Sequence, residues 1–183
     1  MTIYEVALFV HLLGVITLFI AFGIGQRAGQ RARQAESVEQ LRLWMSLIQT
    51  TGTMFPSAWV MILAGGLYMT ADVWSFDTPW VVVALVSVLV MAIVGFAVPG
   101  RQLREVGMAA GSADAGPLSP ELKALLARPA LWTVMTASNA VSLGILWLMV
   151  SKPGWVASIL IVVVLAVIGA AGGSAMTKRG AVA

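Results

Sequence analysis

Trp155-Val-Ala-Ser-Ile-Leu-Ile-Val-Val-Val-Leu-Ala-Val-Ile-Gly-Ala-Ala-Gly-Gly-Ser-Ala175 contains no ionisable side chain. A helix that crosses a hydrocarbon core of about 30 Å needs about 20 such residues. With Gly154 in front of it, this stretch is the last of five, the others covering residues 4–25, 43–70, 80–98 and 130–150. Inside lipid no water is at hand to satisfy backbone groups, so a spanning segment is a helix or part of a closed barrel. Barrel strands alternate in polarity, whereas these runs are continuously apolar, which excludes the barrel. Hydrophobic residues make up 60% of the chain and charged ones 10%, far from the balance of a soluble domain. The fold class expected is therefore all-α: a polytopic membrane bundle of five transmembrane helices forming one domain over residues 1–183.

Charge sets the expected orientation. Arg27, Arg31, Arg33 and Arg42 lie between the first two spans, and Arg101, Arg104, Lys123 and Arg128 between the third and fourth. Lys178 and Arg179 follow the fifth, and Lys152 alone falls on the opposite side. Basic residues concentrate in cytoplasmic loops, so the amino terminus is expected outside and the carboxy terminus in the cytoplasm. Segments 26–42 and 99–129 are then the cytoplasmic loops. Glu5 near the chain start and the Arg cluster behind the first span argue for a retained anchor rather than a cleaved leader. The expected location is a membrane crossed several times, with the lipid bilayer as the first partner. The net charge of +3 is accounted for by topology and by contact with anionic head groups, with no nucleic-acid partner. Without cysteine, disulfides and thiolate chemistry are excluded.

Local signals mark the loops. Ser37 and Gln40 have the spacing of a capping box at the start of the second span. Ala109 to Pro117 is rich in small residues and is expected to be mobile. Ser119 as N-cap, Pro120 and Glu121 open a short interfacial helix with Leu122, Leu125 and Leu126 on one face, which Pro129 ends. Tyr4, Tyr68, Trp74, Phe76, Trp80, Trp147 and Trp155 cluster at the external ends, Trp44 and Trp132 at the cytoplasmic ends, as an interfacial aromatic belt does.

Few polar groups fall inside the spans. His11 is the only histidine. An intramembrane ionisable residue is a functional candidate by default, and imidazole ligates haem iron or copper. The competing use is a hydrogen bond to a neighbouring helix. Met61 and Met149 are candidate second ligands, because a thioether suits both metals. Gln49 and Thr53 in the second span, and Asn139 and Ser142 in the fourth, form two polar clusters expected to hydrogen-bond between helices. Pro56 should kink the second span and free the carbonyl of Gly52 for a nearby hydroxyl. Gly65, Gly66, Gly169, Gly172 and Gly173 offer small surfaces for close helix contact.

His11-Leu12-Leu13-Gly14, Phe55-Pro56, Gly65-Gly66-Leu67-Tyr68, Thr78-Pro79-Trp80 and Leu146-Trp147-Leu148-Met149-Val150-Ser151-Lys152-Pro153 resemble a bacterial family of predicted integral membrane proteins, domain of unknown function 2269. The resemblance covers residues 1 to about 153, implies the inner membrane of a bacterium as the location, and implies no activity. The His11-x-x-Gly14 setting is also similar to copper-resistance D type and protoporphyrinogen-oxidising membrane proteins, which implies copper or haem at a first-helix histidine. No catalytic constellation is visible. The chain is expected to be a non-enzymatic accessory or oligomer-forming bundle, alone as a homo-oligomer or within a larger membrane complex. The alternative is a b-type haem protein with His11 as axial ligand, copper being the next choice.

Overall fold

A computed structural model describes residues 1–179, and the side chains of residues 1–176. All of its regular elements are helices. In chain order these are α1 (Ile3–Arg33), α2 (Val38–Asp72), α3 (Pro79–Gly95), a π turn (Phe96–Gly100), α4 (Arg101–Ser112), α5 (Pro120–Ala127), α6 (Pro129–Ser151) and α7 (Trp155–Arg179). Among the described residues, five helical stretches are long and apolar enough to cross a membrane, as the five apolar runs led one to expect. The side chains of Lys178 and Arg179, two of the orientation-setting residues, lie outside the described residues.

The chain divides into two compact units. The first comprises Met1–Phe76 with Ala113–Leu118, and it is in essence the antiparallel pair α1 and α2. Thr2 and Glu5 begin α1 with a capping box, the Thr2 amide donating to the Glu5 carboxylate at 2.8 Å and the Glu5 amide to the Thr2 hydroxyl at 3.2 Å. Acid at that end and Arg31 and Arg33 in the last turn both complement the helix dipole. The buried face of α1 is His11, Gly14, Leu18, Ala21, Gly25, Ala28, Gly29 and Ala32, nearly all small. Such a face lets two backbones approach closely, which is how helices associate in lipid, where burial from water drives nothing. Leu18, Ala58 and Ile62 form its apolar centre, and the Phe22 and Phe55 rings tilt together with centroids 5.3 Å apart.

The start of α2 departs from a standard capping box. Ser37 accepts from the Gln40 amide at 3.4 Å, but the Gln40 side chain reaches the Glu36 amide at 3.1 Å rather than that of Ser37. The segment Ala113–Leu118 is tied down on this helix start. The Val38 amide donates to the Gly116 carbonyl at 2.9 Å, the Leu118 amide to the Glu36 carbonyl at 3.3 Å, and Arg42 to the Ala113 carbonyl at 2.6 Å. Gly116 holds φ +132°, a conformation that side-chain-bearing residues rarely adopt. The Ser37 hydroxyl foremost, then the helix-start amides, hold the Glu39 carboxyl below its ordinary pKa.

Pro56 sits inside the uninterrupted α2. The hydroxyls on either side of it donate elsewhere than to Gly52, Thr53 to the Thr50 carbonyl at 2.8 Å and Ser57 to the Met54 carbonyl at 2.9 Å. Neighbouring hydroxyls thus bond to their own preceding turn, the geometry that short side chains reach most easily in a helix.

The second unit runs over Asp77–Ser112 and from Ser119 onward. The chain does not leave the helix at Pro99. Lacking an N–H, Pro99 breaks the regular ladder, which widens into the π turn and then resumes as α4. The segment expected as a long loop is therefore largely helical, with Arg128 and Glu105 paired at 2.6 Å on its exposed surface. Ser119 caps α5 as expected, accepting from the Leu122 amide at 3.3 Å, with Pro120 in the first turn. The Glu121 backbone amide foremost, then the Ser119 hydroxyl, keeps the Glu121 carboxyl below its ordinary pKa. Pro129 opens α6 rather than closing α5, a first-turn role in which the missing donor costs nothing.

Trp132 corrects another expectation. It is buried, 1% exposed, and its indole N–H donates to the Leu126 carbonyl at the end of α5 at 3.1 Å. This residue is core, whereas Trp147 and Trp155 are exposed as belt residues should be. Helix α7 lies along α6 through two glycines. A Cβ on Gly169 would fall 2.6 Å from the Thr136 carbonyl oxygen, and one on Gly173 2.6 Å from that of Trp132. Lys152, in the left-handed region with φ 49°, ends α6 and turns the chain toward α7.

Candidate functional site

The most enclosed ionisable group in the first unit is His11, 5% exposed on α1. It faces α2 at the level of Ile62, Gly65 and Gly66. The imidazole Nδ1 lies 2.9 Å from the Ile62 carbonyl oxygen. A carbonyl only accepts, so Nδ1 carries the proton and donates. In the uncharged ring the lone pair is then on Nε2, which has no hydrogen-bond partner among the described residues.

Two adjacent glycines make this seat. A Cβ on Gly65 would lie 2.5 Å from the Ala7 carbonyl oxygen and 2.9 Å from the His11 Cβ; one on Gly66 would lie 3.2 Å from the ring Nδ1. One turn along α1, a Cβ on Gly14 would meet Met61 Cβ and the Ile62 amide, both at 2.9 Å. One turn along α2 the Thr70 hydroxyl, buried at 6% exposure, donates to the Gly66 carbonyl at 2.9 Å. Gly14, Thr70 and the Ile62 carbonyl were not identifiable as parts of one site from composition. The His11-x-x-Gly14 spacing and the Gly65-Gly66 pair were its visible traces.

The other candidates are distributed as follows. Met61 is half-buried beside Gly14 in the first unit, and Met149 is half-buried on α6 in the second. Gln49 and Thr53 are exposed on α2. Ser142 is buried and donates to the Ser138 carbonyl of its own helix at 2.9 Å, with the Met91 sulfur of α3 at 3.9 Å. Asn139 is half-buried on the same helix. A side-chain link between α6 and α7 is Thr133 to Ser174, hydroxyl to hydroxyl at 3.3 Å. Among the described residues no three His, Cys, Asp or Glu side chains gather as they would to hold a metal ion. Of the five glycines singled out in the sequence, Gly65, Gly66, Gly169 and Gly173 are filled by this chain's own helices, and only Gly172 faces open space.

Residues 5–153 match the model of a family described as predicted integral membrane protein (DUF2269). That is the greater part of the chain, from the first helix through the turn after α6, and the chain belongs to this family. No curated protein and no solved structure matches.

Proposed function

We propose that this family member is a non-enzymatic accessory subunit of a bacterial inner membrane, a single five-span domain that works by packing against a partner. The observation that supports it is what the intramembrane polar groups do. His11 donates to Ile62, and Thr51, Thr70, Ser87, Thr136 and Ser142 donate to carbonyls one turn back on their own helices. These bonds are made within the protein: His11 ties α1 to α2, and the hydroxyls are taken up by their own helices. Extraction in native lipid discs tests the reading: the particle is expected to carry a second protein or a second copy. A strictly monomeric particle with no companion ends it.

A second reading has one observation in its favour. Donation from Nδ1 to a carbonyl is the bond by which metal-ligating histidines are oriented, and it leaves Nε2 as the ligating atom. In that reading His11 holds a b-type haem, or copper, with Met61 supplying a thioether. The same discs decide between them. The accessory reading expects a colourless, metal-free protein; a Soret band that disappears in His11→Ala would replace it with the haem reading.

The orientation proposed is amino terminus outside, carboxy terminus cytoplasmic, supported by the ten-to-one distribution of basic residues. Single cysteines make this measurable in a chain that has none. A Cys at Ser75, in the turn after α2, is expected to react with an impermeant maleimide added to intact cells, and a Cys at Gly111 only after the membrane is opened. The reverse pattern inverts the topology.

A further inference from the structure

Three contacts fix the register of α1 on α2. Gly14 meets Ile62, Gly25 meets Thr51 and Gly65 meets His11, and in each pair the residue numbers add to 76. Level positions follow along the whole hairpin. Tyr4 is level with Asp72, so the external ends of both helices carry their charged residues, Glu5 and Asp72, at one height. Arg27 is level with Gln49, Arg31 with Met45, and Trp44 with Ala32.

Depth can now be counted. At about 1.5 Å per residue, Arg27 lies about 35 Å along α1 from Tyr4 and Arg31 about 40 Å. A hydrocarbon core is about 30 Å thick, and about 40–45 Å with its head-group layers. The two arginines therefore stand in the head-group layer opposite the Tyr4 end. The polar run Gln49–Thr53 marks the same boundary on α2, which is why the apolar run beginning at Leu43 is longer than one crossing requires. Arg27 and Arg31 are one turn apart on one helix face, and both are exposed. The ion pairs of the described residues are elsewhere, and the contact of Arg27 is a long 3.5 Å bond to Gln30. The Arg31 side chain has no hydrogen bond or ion pair among the described residues. Beside them on the same stub, Leu43 and Leu47 are 64% and 38% exposed and Trp44 is half-exposed. Exposed leucines together with exposed arginines suit neither bulk water nor hydrocarbon; they suit the interface, where apolar and cationic groups are both solvated.

We infer that Arg27 and Arg31 form a binding site for the phosphate head group of an anionic membrane phospholipid, at the end of the α1–α2 hairpin opposite Tyr4. The planar guanidinium fork matches a phosphodiester in two parallel hydrogen bonds, and a basic cluster directly after a transmembrane helix attracts anionic lipid. Free inorganic phosphate presents the same chemistry but offers nothing to Leu43, Leu47 and Trp44.

Native mass spectrometry of the full chain from micelles holding equal phosphatidylglycerol and phosphatidylcholine tests the site. The wild type should retain phosphatidylglycerol preferentially. Arg27→Gln with Arg31→Gln should weaken that retention by about thirtyfold, two basic residues each contributing about a factor of five. Lys152→Gln, on the other side of the membrane, should change nothing; Arg27→Lys with Arg31→Lys, which keeps the charge but not the guanidinium fork, should retain the preference at reduced strength, and an unaltered unfolding midpoint of the double Gln variant verifies that the hairpin still folds. Equal retention of the two lipids by the wild type, or an unaltered preference in the double Gln variant, would overturn the inference. Displacement of the lipid by millimolar inorganic phosphate would do so too, by assigning the site to a free anion.

Discussion

Gly65→Ala is expected to separate α1 from α2, while Gly52→Ala on the same helix leaves them together. The new methyl carbon at Gly65 would stand 2.5 Å from the Ala7 carbonyl oxygen, 2.9 Å from the His11 Cβ and 3.0 Å from the His11 amide nitrogen. Two of those three atoms are backbone, so no side-chain rotation relieves the overlap; α1 itself has to move. Any such movement also lengthens the 2.9 Å bond from His11 to the Ile62 carbonyl and loosens the contact of Gly14 with Ile62 one turn away. Overpacking a tight interface costs about 1–3 kcal/mol, and loss of an intramembrane hydrogen bond adds about 0.6 kcal/mol. Gly52 has open space where its Cβ would go, and both substitutions gain the same helix propensity from alanine. Unfolding in mixed micelles, followed by tryptophan emission, should show a much earlier transition for Gly65→Ala only. Coincident transitions would mean that the helices do not meet at Gly65.

How much of this was legible beforehand depends on how local each feature is. The five spans were readable because a helix satisfies its own backbone, so a single apolar run is sufficient evidence for it. Ser119, Pro120 and Glu121 announced α5 correctly because a cap lies within one turn of what it caps. Helix pairing is another matter. Gly65 and Gly66 read as small surfaces from composition, yet nothing in one sequence says that they receive His11 rather than another copy of the chain. The Ile62 carbonyl was invisible altogether, because backbone acceptors carry no residue-type signature. Trp132 was read as interfacial by its position near a span end; the return of the chain through α5, which brings the Leu126 carbonyl to its indole, lies outside any periodicity argument. The polar clusters carried less information about pairing: Thr53 and Ser142 donate one turn back on their own helices, and Ser142 also reaches the Met91 sulfur of α3, an acceptor that no polar-residue pattern marks.

The adjacent glycines of α7 provide the most discriminating comparison in the second unit: Gly173→Val should disrupt the α6–α7 pair, and Gly172→Val should not. A Cβ at Gly173 would lie 2.6 Å from the Trp132 carbonyl oxygen and 2.7 Å from the Thr133 Cα, and would overlap the Thr136 hydroxyl. That hydroxyl is not free to swing away cheaply, since it donates to the Trp132 carbonyl at 2.7 Å. The displaced segment is also the one that buries Trp132 and links Thr133 to Ser174. A branched side chain in such a site forces the helices apart, at about 3 kcal/mol, the upper end of overpacking costs. At Gly172 an added Cβ meets nothing within 4 Å. Folded yield and unfolding midpoint should therefore fall sharply for position 173 and hold for 172. The contrast also bears on association. A particle that loses its companion protein in Gly172→Val, while its own unfolding is unchanged, would place the partner against the open face of α7; loss of the companion only in Gly173→Val would mean that partner binding follows from the integrity of the α6–α7 pair.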